Sequence, residues 1–559
     1  MKCELLNNDS IAVYDCFNEK DAIKGDFGGV WDTKRKCWSI SLTEDNITRL
    51  RLRFGAKIDP SIEECISRKK SCEQVIQDYK DGKLKPDAIY NDWFKNCTLM
   101  EHQLIGATIA DRLFNQGYTG CLLSMEMGTG KTLTAMAIAN RLNAEKDCKK
   151  ILIICPKVAM PVWRDEYKKF EKLDYKLRLI TGTQKKRVDA MNELVDDPSD
   201  NLNIAVINYE YTYAFESILS VWKPDIIICD ESHRIKGVTT NQTKAITKIG
   251  KAVKYKLCLT GTPLTNNILD FFSQFRFLDT SVFGLNFYSF KNRYVITGMF
   301  GEYLRPNKST FDEFKGRVAK ISYRVTKEQC LQLPEFTDVI VPVDIDCIKM
   351  YRELEKDYIT WLNETEYISV ENALTKTLKL RQITSGFYYN IDDNGNRSTV
   401  FVDDAKIKAC MELIEELVEN DKKVIVFAEF QAEIEKIKEL CDKAKIKSGT
   451  YYGNTPEKRK MEVVDNFQNG DLQVFIGQIE SAGISITLTS ASHMIFLSTG
   501  YKYGVYDQAR ARIHRKGQVN KCTYYHLIAN NTIDAKIMKA LENKEALAQS
   551  VIDDYKNKK

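Results

Sequence analysis

The stretch that decides the fold is Met125-Glu126-Met127-Gly128-Thr129-Gly130-Lys131-Thr132. It follows the apolar run Cys121-Leu122-Leu123 and precedes a helical pattern over 133–139. A strand that leads through a glycine-rich turn into a helix points several backbone N–H groups at one place, where the helix dipole attracts an anion. The pattern therefore predicts a cradle for nucleotide phosphates, and a purely structural glycine turn is the alternative.

Single residues of this loop suit a polyphosphate and its metal ion. Gly130 lets the backbone approach the phosphates closely, Lys131 reaches the β and γ phosphates, and the Thr132 hydroxyl can bind Mg²⁺. We expect Gly128 and Thr129 to line the same cradle. The usual first glycine of such a loop is absent, because Met125 stands in its place.

Length and composition limit the class of protein. A chain of 559 residues predicts roughly three to four domains, and a net charge of +5 permits nucleic-acid binding without requiring it. The 16 cysteines include no C-x-x-C pair, so we expect reduced thiols and no structural zinc. The N-terminus lacks a signal-peptide pattern and no long apolar run occurs. We therefore expect a soluble intracellular protein with no membrane segment.

Short apolar runs alternate with helical stretches after the loop. The runs are Ile151–Cys155, Ile204–Ile207, Ile226–Cys229 and Leu257–Leu259. This alternation predicts a buried parallel sheet flanked by helices. Ligands of such sheets bind at the carboxyl ends of the strands.

Two carboxylates stand at such a strand end. Asp230 and Glu231 directly follow the run Ile226–Cys229. We predict that Asp230 holds Mg²⁺ and that Glu231 polarises the water that attacks the γ phosphate. An acidic helix N-cap is the alternative for an isolated pair.

Several longer sequence motifs identify a family. Gln103, 128–132, Cys155-Pro156-Lys157 with Trp163, 230–236 and 259–267 stand in the order of helicase superfamily two. Arg234-Ile235-Lys236 and Leu259-Thr260-Gly261-Thr262-Pro263 resemble the SWI/SNF family of double-stranded DNA translocases. The resemblance implies an α/β fold with two tandem RecA-like lobes, ATP and Mg²⁺ as cofactors, and double-stranded or branched DNA as partner.

The second half of the chain continues the resemblance. Runs at Val424–Ala428, Val474–Ile476 and Met494–Leu497 predict a second parallel sheet, and 508–518 is similar to the last motif of the family. Arg512 and Arg515 are three apart, so on a helix they would share one face and serve as arginine fingers. A solvated basic helix face is the alternative.

Further roles follow from the resemblance alone. Gln103 and Gln508 would contact the nucleotide. Candidate DNA contacts are Lys157, Asn208, Tyr209, Gly453, Asn454, Ser481 and Thr489. The chain departs from the family at Ser485, a usual glycine, and at Tyr501-Lys502-Tyr503-Gly504, in regions tied to DNA contact and lobe coupling.

The predicted domains follow from these boundaries. They are a small β-rich module resembling the HARP domain of annealing helicases (1–60), a connector (61–96), lobe one (97–285), a helical protrusion or linker region (286–400), lobe two (401–545) and a charged tail (546–559). In the first module we favour core packing of Trp31 and Trp38 over base stacking. In the helical protrusion or linker region we favour inter-helix packing of Phe287, Phe290 and Tyr294 over a DNA-facing patch.

Three functions remain open at this point. The first is a duplex translocase that remodels protein–DNA complexes, and the second is an annealing or fork-remodelling enzyme. The third is a non-catalytic scaffold that binds DNA through inactive lobes. The Lys- and Asn-rich composition resembles bacterial or phage members, which would place the protein in the cytoplasm, or in the nucleus if it is eukaryotic.

Overall fold

The computed structural model describes residues 1–197, 201–299, 301–364, 370–391, 397–453, 455–482 and 486–552. It divides into two compact units, which are Met1–Cys330 with Leu547–Lys559, and Leu331–Ala546.

The N-terminal module is a five-stranded sheet with strand order β3-β4-β2-β1-β5. Its elements, with the long helix that follows, are β1 (Lys2–Asn7), β2 (Ser10–Tyr14), α1 (Lys20–Asp26), β3 (Val30–Asp32), β4 (Cys37–Ser41), α2 (Glu44–Phe54), β5 (Lys57–Ile58) and α3 (Pro60–Lys80). Helix α2 begins at an N-cap, where the Thr43 side chain accepts a bond from Asn46 N–H, and ends at Gly55, whose φ of 58° suits glycine. Ile11, Val13, Ile40 and Leu50 lie in its core.

The two tryptophans of the module pack against each other. Their ring centroids lie 5.5 Å apart in an edge-to-face arrangement. Trp31 is 47% exposed, so the prediction of core packing is wrong for this residue. Trp38 is partly buried and does pack against the core.

The first large sheet has seven parallel strands in the order β14-β6-β11-β10-β7-β9-β8. The elements from the start of this region are α4 (Glu101–Asn115), β6 (Gly120–Met125), α5 (Lys131–Lys146), β7 (Lys150–Cys155), α6 (Met160–Phe170), β8 (Tyr175–Ile180), α7 (Gln184–Val195), β9 (Leu202–Asn208), α8 (Tyr209–Thr212), α9 (Glu216–Trp222), β10 (Ile226–Asp230), α10 (Asn241–Gly250) and β11 (Tyr255–Leu259). Strands β7, β9, β10 and β11 are almost wholly buried, as expected for a parallel sheet covered on both faces.

An aromatic cluster follows this sheet in the chain. The elements are α11 (Asp270–Leu278), α12 (Thr280–Phe283), α13 (Phe287–Tyr294), β12 (Val295–Thr297), β13 (Tyr303–Pro306), α14 (Phe311–Ala319), β14 (Ser322–Val325) and α15 (Lys327–Cys330). Phe290 and Tyr294 are buried and contact Phe283 and Phe314 at centroid distances of 4.9 to 6.2 Å. Phe287, half-buried, contacts Phe272. The prediction that these rings pack between helices is confirmed.

The second large sheet has six parallel strands in the order β15-β22-β21-β18-β20-β19. Its unit contains β15 (Phe336–Val343), α16 (Ile348–Glu364), α17 (Val370–Thr384), β16 (Phe387–Ile391), β17 (Arg397–Phe401), α18 (Ala405–Glu419), β18 (Val424–Ala428), α19 (Gln431–Lys443), β19 (Ser448–Tyr451), α20 (Glu457–Asn469), β20 (Val474–Gln478), α21 (Ile479–Ala482), β21 (His493–Phe496), α22 (Tyr503–Arg510), β22 (Cys522–Ala529) and the larger part of α23 (Ile533–Ile552). The predicted fold class, two parallel-sheet lobes with a small N-terminal sheet, is confirmed.

The region predicted as helical protrusion or linker, 286–400, differs from that description. It supplies β14 to the first sheet and β15 to the second. The division between the two units falls after Cys330, inside this region.

Within the described residues no helix combines the length and apolarity needed to cross a membrane. Nor do they bring three or more His, Cys, Asp or Glu side chains together in a way that could hold a metal ion.

Candidate nucleotide-binding site

The glycine-rich loop connects the end of β6 with the start of α5. Met125, at the position of the usual first glycine, is a buried strand residue that pairs with Val325 of β14. Gly128 and Gly130 both have φ of 87°, a conformation that favours glycine. A Cβ atom on Gly130 would also lie 2.0 Å from Gln103 Nε2. The backbone conformation therefore favours a glycine at position 130, and a Cβ atom there would displace the Gln103 side chain.

Two side chains of α4 support this loop. Gln103 Nε2 donates to Gly130 O at 3.2 Å, and its Oε1 accepts from Met100 N–H at 2.8 Å. His102 Nε2 lies 2.7 Å from Thr129 O and must donate, because a carbonyl only accepts. Burial lowers the pKa of His102, so the ring is neutral. Gln103 therefore holds the loop, and its predicted contact with the nucleotide stays a prediction.

Lys131 and Thr132 stand at the first turn of α5. Lys131 Nζ donates to Met125 O at 3.0 Å, so its ammonium group lies against the loop itself. The Thr129 hydroxyl donates to Glu126 O at 2.8 Å. These bonds keep the loop wrapped around the N-terminus of α5, where the helix dipole favours an anion.

Asp230 ends β10 and is held by three partners. Oδ2 accepts from the Trp163 indole N–H at 3.0 Å, and Oδ1 accepts from Glu231 N–H at 3.0 Å. The backbone carbonyl of Asp230 accepts from the Tyr209 hydroxyl at 2.7 Å. Burial and the Glu231 carboxylate raise the pKa of Asp230 to about 6, although Lys131 and Trp163 act in the opposite direction. Its pKa thus responds to the charge of Lys131.

Glu231 turns the chain sharply after the strand. Its φ of 52° lies in the left-handed region, which is unusual for a residue with a side chain. Its Oε2 lies 3.5 Å from Thr260 Oγ1 and 3.4 Å from His233 Nδ1. Burial, with Lys236 and Arg234, lowers the pKa of His233 to about 3, so its imidazole is neutral.

The sequence predicted no role for Thr260 or His233, although both lie in motifs that identified the family. Thr260 directly follows β11, which lies between β6 and β10 in the sheet. The order of strands brings its hydroxyl to Glu231, and Thr262 N–H donates to the same hydroxyl at 3.1 Å. The apolar run before Thr260 was the available signal, because neighbouring parallel strands end at the same edge.

The structure thus gathers the loop, both carboxylates and Thr260 at the carboxyl edge of three adjacent strands. Thr132 and Asp230 offer oxygen atoms, which are the ligands that Mg²⁺ prefers. These residues fit a magnesium ion that is otherwise held by phosphate and water, and such an ion would neutralise phosphate charge.

Arg512 and Arg515 do not lie on a helix. Helix α22 ends at Arg510, and the next bond, from Arg512 N–H to Ala509 O, closes a tighter turn. The predicted shared helix face is therefore wrong. The two side chains nevertheless converge, since both donate to Ile486 O, at 3.0 Å and 3.4 Å.

The two arginines differ in exposure. Arg512 is only 1% exposed and also donates from Nε to Gln508 O at 3.0 Å. Gln508 itself is buried. Arg515 is half-buried, and burial lowers its pKa. Of the two, Arg515 has the side chain that can more readily leave its present contacts.

The candidate DNA contacts of unit one differ in accessibility. Lys157 is exposed just after β7. Asn208 is buried and donates to Glu210. Tyr209 is fully buried beneath Asp230, so the prediction that it contacts DNA is wrong.

The remaining DNA candidates lie in unit two. Gly453 is exposed, the Ser481 hydroxyl donates to Gln478 Oε1 at 3.1 Å, and Thr489 Oγ1 accepts from Gln468 Nε2 at 3.0 Å. Asn454 and Ser485 lie outside the described residues. A DNA contact by Lys157, Gly453, Ser481 or Thr489 stays a prediction.

Two family models match the chain. The SNF2-related domain matches residues 72–387, more than half of the sequence, and the Helicase conserved C-terminal domain matches 405–517. The chain belongs to the SNF2-related family. This confirms the predicted family, whereas the HARP-like module and a bacterial or phage origin stay predictions.

Curated relatives share about a quarter of the aligned residues. An uncharacterized ATP-dependent helicase of Mycoplasma genitalium is 27% identical over 79% of this chain and 41% of its own length. DNA repair and recombination protein RDH54 of Saccharomyces cerevisiae is 26% identical over 78% of this chain and 50% of its own. The chain therefore spans half or less of the length of these relatives.

Solved structures resemble the SNF2-family chain more loosely. The SWI2/SNF2 ATPase core of Sulfolobus solfataricus in complex with double-stranded DNA has a TM-score of 0.40 and 23% identity. The match covers 84% of this chain and 94% of that one.

Proposed function

We propose that this SNF2-related chain is an ATP-driven motor that moves along double-stranded DNA and remodels protein–DNA complexes. The observation that carries the proposal is the cluster at the carboxyl edge of the first sheet. There the glycine-rich loop follows β6, while Asp230 and Glu231 stand at the end of β10. Strand β11 lies between these two strands, and Thr260 at its end contacts the Glu231 carboxylate. A phosphate cradle beside two carboxylates suits hydrolysis of a nucleoside triphosphate.

Each residue of the cluster has a proposed task. Lys131 binds the β and γ phosphates, while Thr132 and Asp230 hold Mg²⁺. Glu231 accepts a proton from the attacking water, and the neutral His233 and the Thr260 hydroxyl keep its carboxylate oriented. Bound Mg²⁺ would neutralise charge on the phosphates.

The second unit supplies the arginines. Arg512 fixes the turn through its bonds to Gln508 O and Ile486 O. Arg515 is the better candidate for stabilising charge on the transferred phosphoryl group, because its contact with Ile486 is longer and its side chain is more exposed. Hydrolysis that needs groups from both units would couple each turnover to a change between them.

DNA would be gripped through its phosphates. The exposed Lys157 and the polar residues near Gly453, Ser481 and Thr489 favour contacts that do not depend on base sequence. Names of relatives that refer to DNA repair and recombination support DNA as the partner. The predicted lobes, 97–285 and 401–545, remain part of this proposal, with β14 added to the first lobe and β15 to the second.

The test is ATP hydrolysis with and without duplex DNA, followed by displacement of a triplex-forming strand. We expect duplex DNA to raise hydrolysis and Glu231→Gln to lower it by about 10²- to 10⁴-fold while ATP still binds. Glu216→Gln is the matched control, because Glu216 pairs with Lys248 at the surface of the same unit. No hydrolysis by the unmodified chain, with DNA binding intact, would support the scaffold instead.

Fork remodelling is a second candidate that one observation favours. Trp31 is exposed beside Trp38, and the exposed Lys34, Arg35 and Lys36 form the turn between their strands. An exposed ring flanked by cations suits stacking on an unpaired base and attraction to its phosphates.

This second candidate predicts a specific loss. Trp31→Ala should abolish any preference for forked over plain duplex DNA in ATPase titrations, while hydrolysis on plain duplex persists. Phe17→Ala is the control, because Phe17 is an aromatic residue of the same module that is 82% exposed. Equal responses of the two variants would remove this candidate.

A further inference from the structure

Residues 331–335 connect the two compact units, and the elements before them are bonded to the glycine-rich loop. Strand β14 pairs with β6, and Glu126 N–H donates to Val325 O at 3.1 Å. Lys327 N–H donates to the Glu126 carboxylate at 3.0 Å. The last elements of unit one are thus attached to the segment that would hold the nucleotide phosphates.

The elements after the connection are bonded to the turn that carries the two arginines. Asp338 of β15 accepts from Arg510 through Oδ2 at 2.8 Å and from His526 Nε2 through Oδ1 at 2.9 Å. Arg510 is the last residue of α22 and lies two positions before Arg512. Burial raises the pKa of Asp338, but His526 and Arg510 outweigh it and leave the pKa lowered, so the carboxylate is charged.

Aromatic rings pack around the Arg510 side of this ion pair, while the Asp338 side chain is 38% exposed. The Arg510 guanidinium lies 5.0 Å from the Phe336 ring, 5.5 Å from Tyr506 and 4.6 Å from Tyr524. The rings limit access of water to the guanidinium, whose side chain is 15% exposed, and this strengthens the cation–π contacts. Arg510 is therefore held by three rings as well as by the Asp338 carboxylate.

A second contact holds the other side of the turn. His514 Nε2 lies 2.8 Å from Pro334 O and donates to it, and the His514 ring contacts Phe336 at a centroid distance of 5.4 Å. The arginine turn is thus tied to the start of unit two both before Arg512, by Arg510, and after it, by His514.

We propose that Asp338, Arg510 and His514 are positioning residues that fasten the arginine turn to the connection between the units. Lys327, which lies shortly before the connection, donates to Glu126 of the glycine-rich loop, and the chain from Lys327 to Pro334 reaches at most about 25 Å when fully extended. A shift of the loop can therefore be passed along a short covalent path to Arg512 and Arg515. This inference rests on the proposed function.

The test compares two charge-removing substitutions in the full chain. Asp338→Asn weakens the hold on Arg510. Asp534→Asn is the control, because Asp534 pairs with the buried Lys406 at 2.8 Å in the same unit but contacts neither the connection nor the arginine turn. We expect Asp338→Asn to lower the DNA-stimulated kcat roughly ten- to hundredfold with KM for ATP within about twofold. Asp534→Asn should leave kcat within about twofold.

Two results would overturn the inference. One is an equal loss of kcat in both variants at matched thermal midpoints, and the other is a loss by Asp338→Asn that appears only in KM. A merely structural role would lower the fraction of active enzyme in both variants alike.

A second variant decides the matter if Asp338→Asn does not fold. Two glycines inserted between Gln332 and Leu333 lengthen the connection and alter no ion pair. We expect a similar loss of DNA-stimulated kcat, and an unchanged kcat contradicts the inference. If the unmodified chain shows no DNA-stimulated hydrolysis, the proposed function fails, whereas an active chain that tolerates both changes refutes only this coupling.

Discussion

The function of a carboxylate at the end of a strand depends on the groups that orient it. Asp230 is oriented by Trp163 and by the N–H of Glu231, while Tyr209 holds its backbone. The sequence predicted Asp230 and Glu231 because they follow an apolar run. It could not predict the partners Trp163 and Tyr209, because contact with these distant residues depends on the order of β10, β7 and β9 in the sheet.

Replacing Trp163 should lower the rate of catalysis more than the loss of indole packing alone would. Trp163→Phe removes a hydrogen bond to a carboxylate, and such bonds contribute about 1.5 to 3 kcal/mol. We expect kcat for ATP hydrolysis to fall by roughly tenfold or more, measured at saturating duplex DNA. Trp222→Phe is a close control, because Trp222 is equally buried and its Nε1 has no hydrogen-bond partner among the described residues. Matching losses in the two variants would mean that packing alone matters.

For strands and helices, too, the sequence predicted what depends on a local pattern but not what depends on contacts between distant residues. Central strands such as β7, β10 and β18 are continuous apolar runs, so the sequence predicted them within a few residues. Strands β8 and β15 lie at sheet edges and were not predicted. Strand β8 is half-buried along most of its length, and β15 alternates between exposed and half-buried positions. The helix expected to carry Arg512 and Arg515 ends too early: Arg512 N–H bonds to Ala509 O, only three residues back, and Arg512 O accepts from Leu488 N–H instead of from a later helical residue.

The junction between the N-terminal module and the first sheet depends on one buried carboxylate. Asp279 accepts from Lys69 Nζ at 3.0 Å and from Thr119 N–H at 3.1 Å, and the neighbouring Thr280 N–H donates to Asp9 of the module at 3.1 Å. Burial raises the pKa of Asp279, but Lys69 and Ser281 outweigh it and leave the pKa lowered. The ionised form is therefore favoured by folding.

Asp279→Asn should leave the Lys69 ammonium buried without its counter-charge. We expect the free energy of unfolding to fall by about 3 kcal/mol, measured by denaturant titration. Since the folded pKa lies below the unfolded value of about 3.9, this loss should be constant from pH 8 to 5 and shrink only below about pH 4. Asp26→Asn, at an exposed pair with Arg53, should cost under about 1 kcal/mol. A difference that disappears already at pH 6 would contradict the assignment.

At the scale of the whole molecule, the proposed chemistry is divided between two units of one chain. The phosphate loop and carboxylates belong to Met1–Cys330, and the arginines belong to Leu331–Ala546. A short covalent connection keeps the two sets at a local concentration on the order of millimolar, far above that of a second chain at micromolar protein. The arginines should therefore serve the phosphate loop of their own chain.

Mixing two inactive variants tests this division. Lys131→Ala disables the first unit and Arg515→Ala the second, and each alone should lower DNA-stimulated hydrolysis by about 10³-fold or more. We expect the equimolar mixture to be as inactive as either variant, because a chain with an intact loop lacks its own Arg515 and the other chain cannot compete at micromolar concentration. Unmodified protein diluted into an equal amount of either variant controls for inhibition in mixed samples. Recovery of about a quarter of normal activity, the statistical share expected of mixed pairs that rebuild one complete site, would show instead that the arginines act on a neighbouring chain.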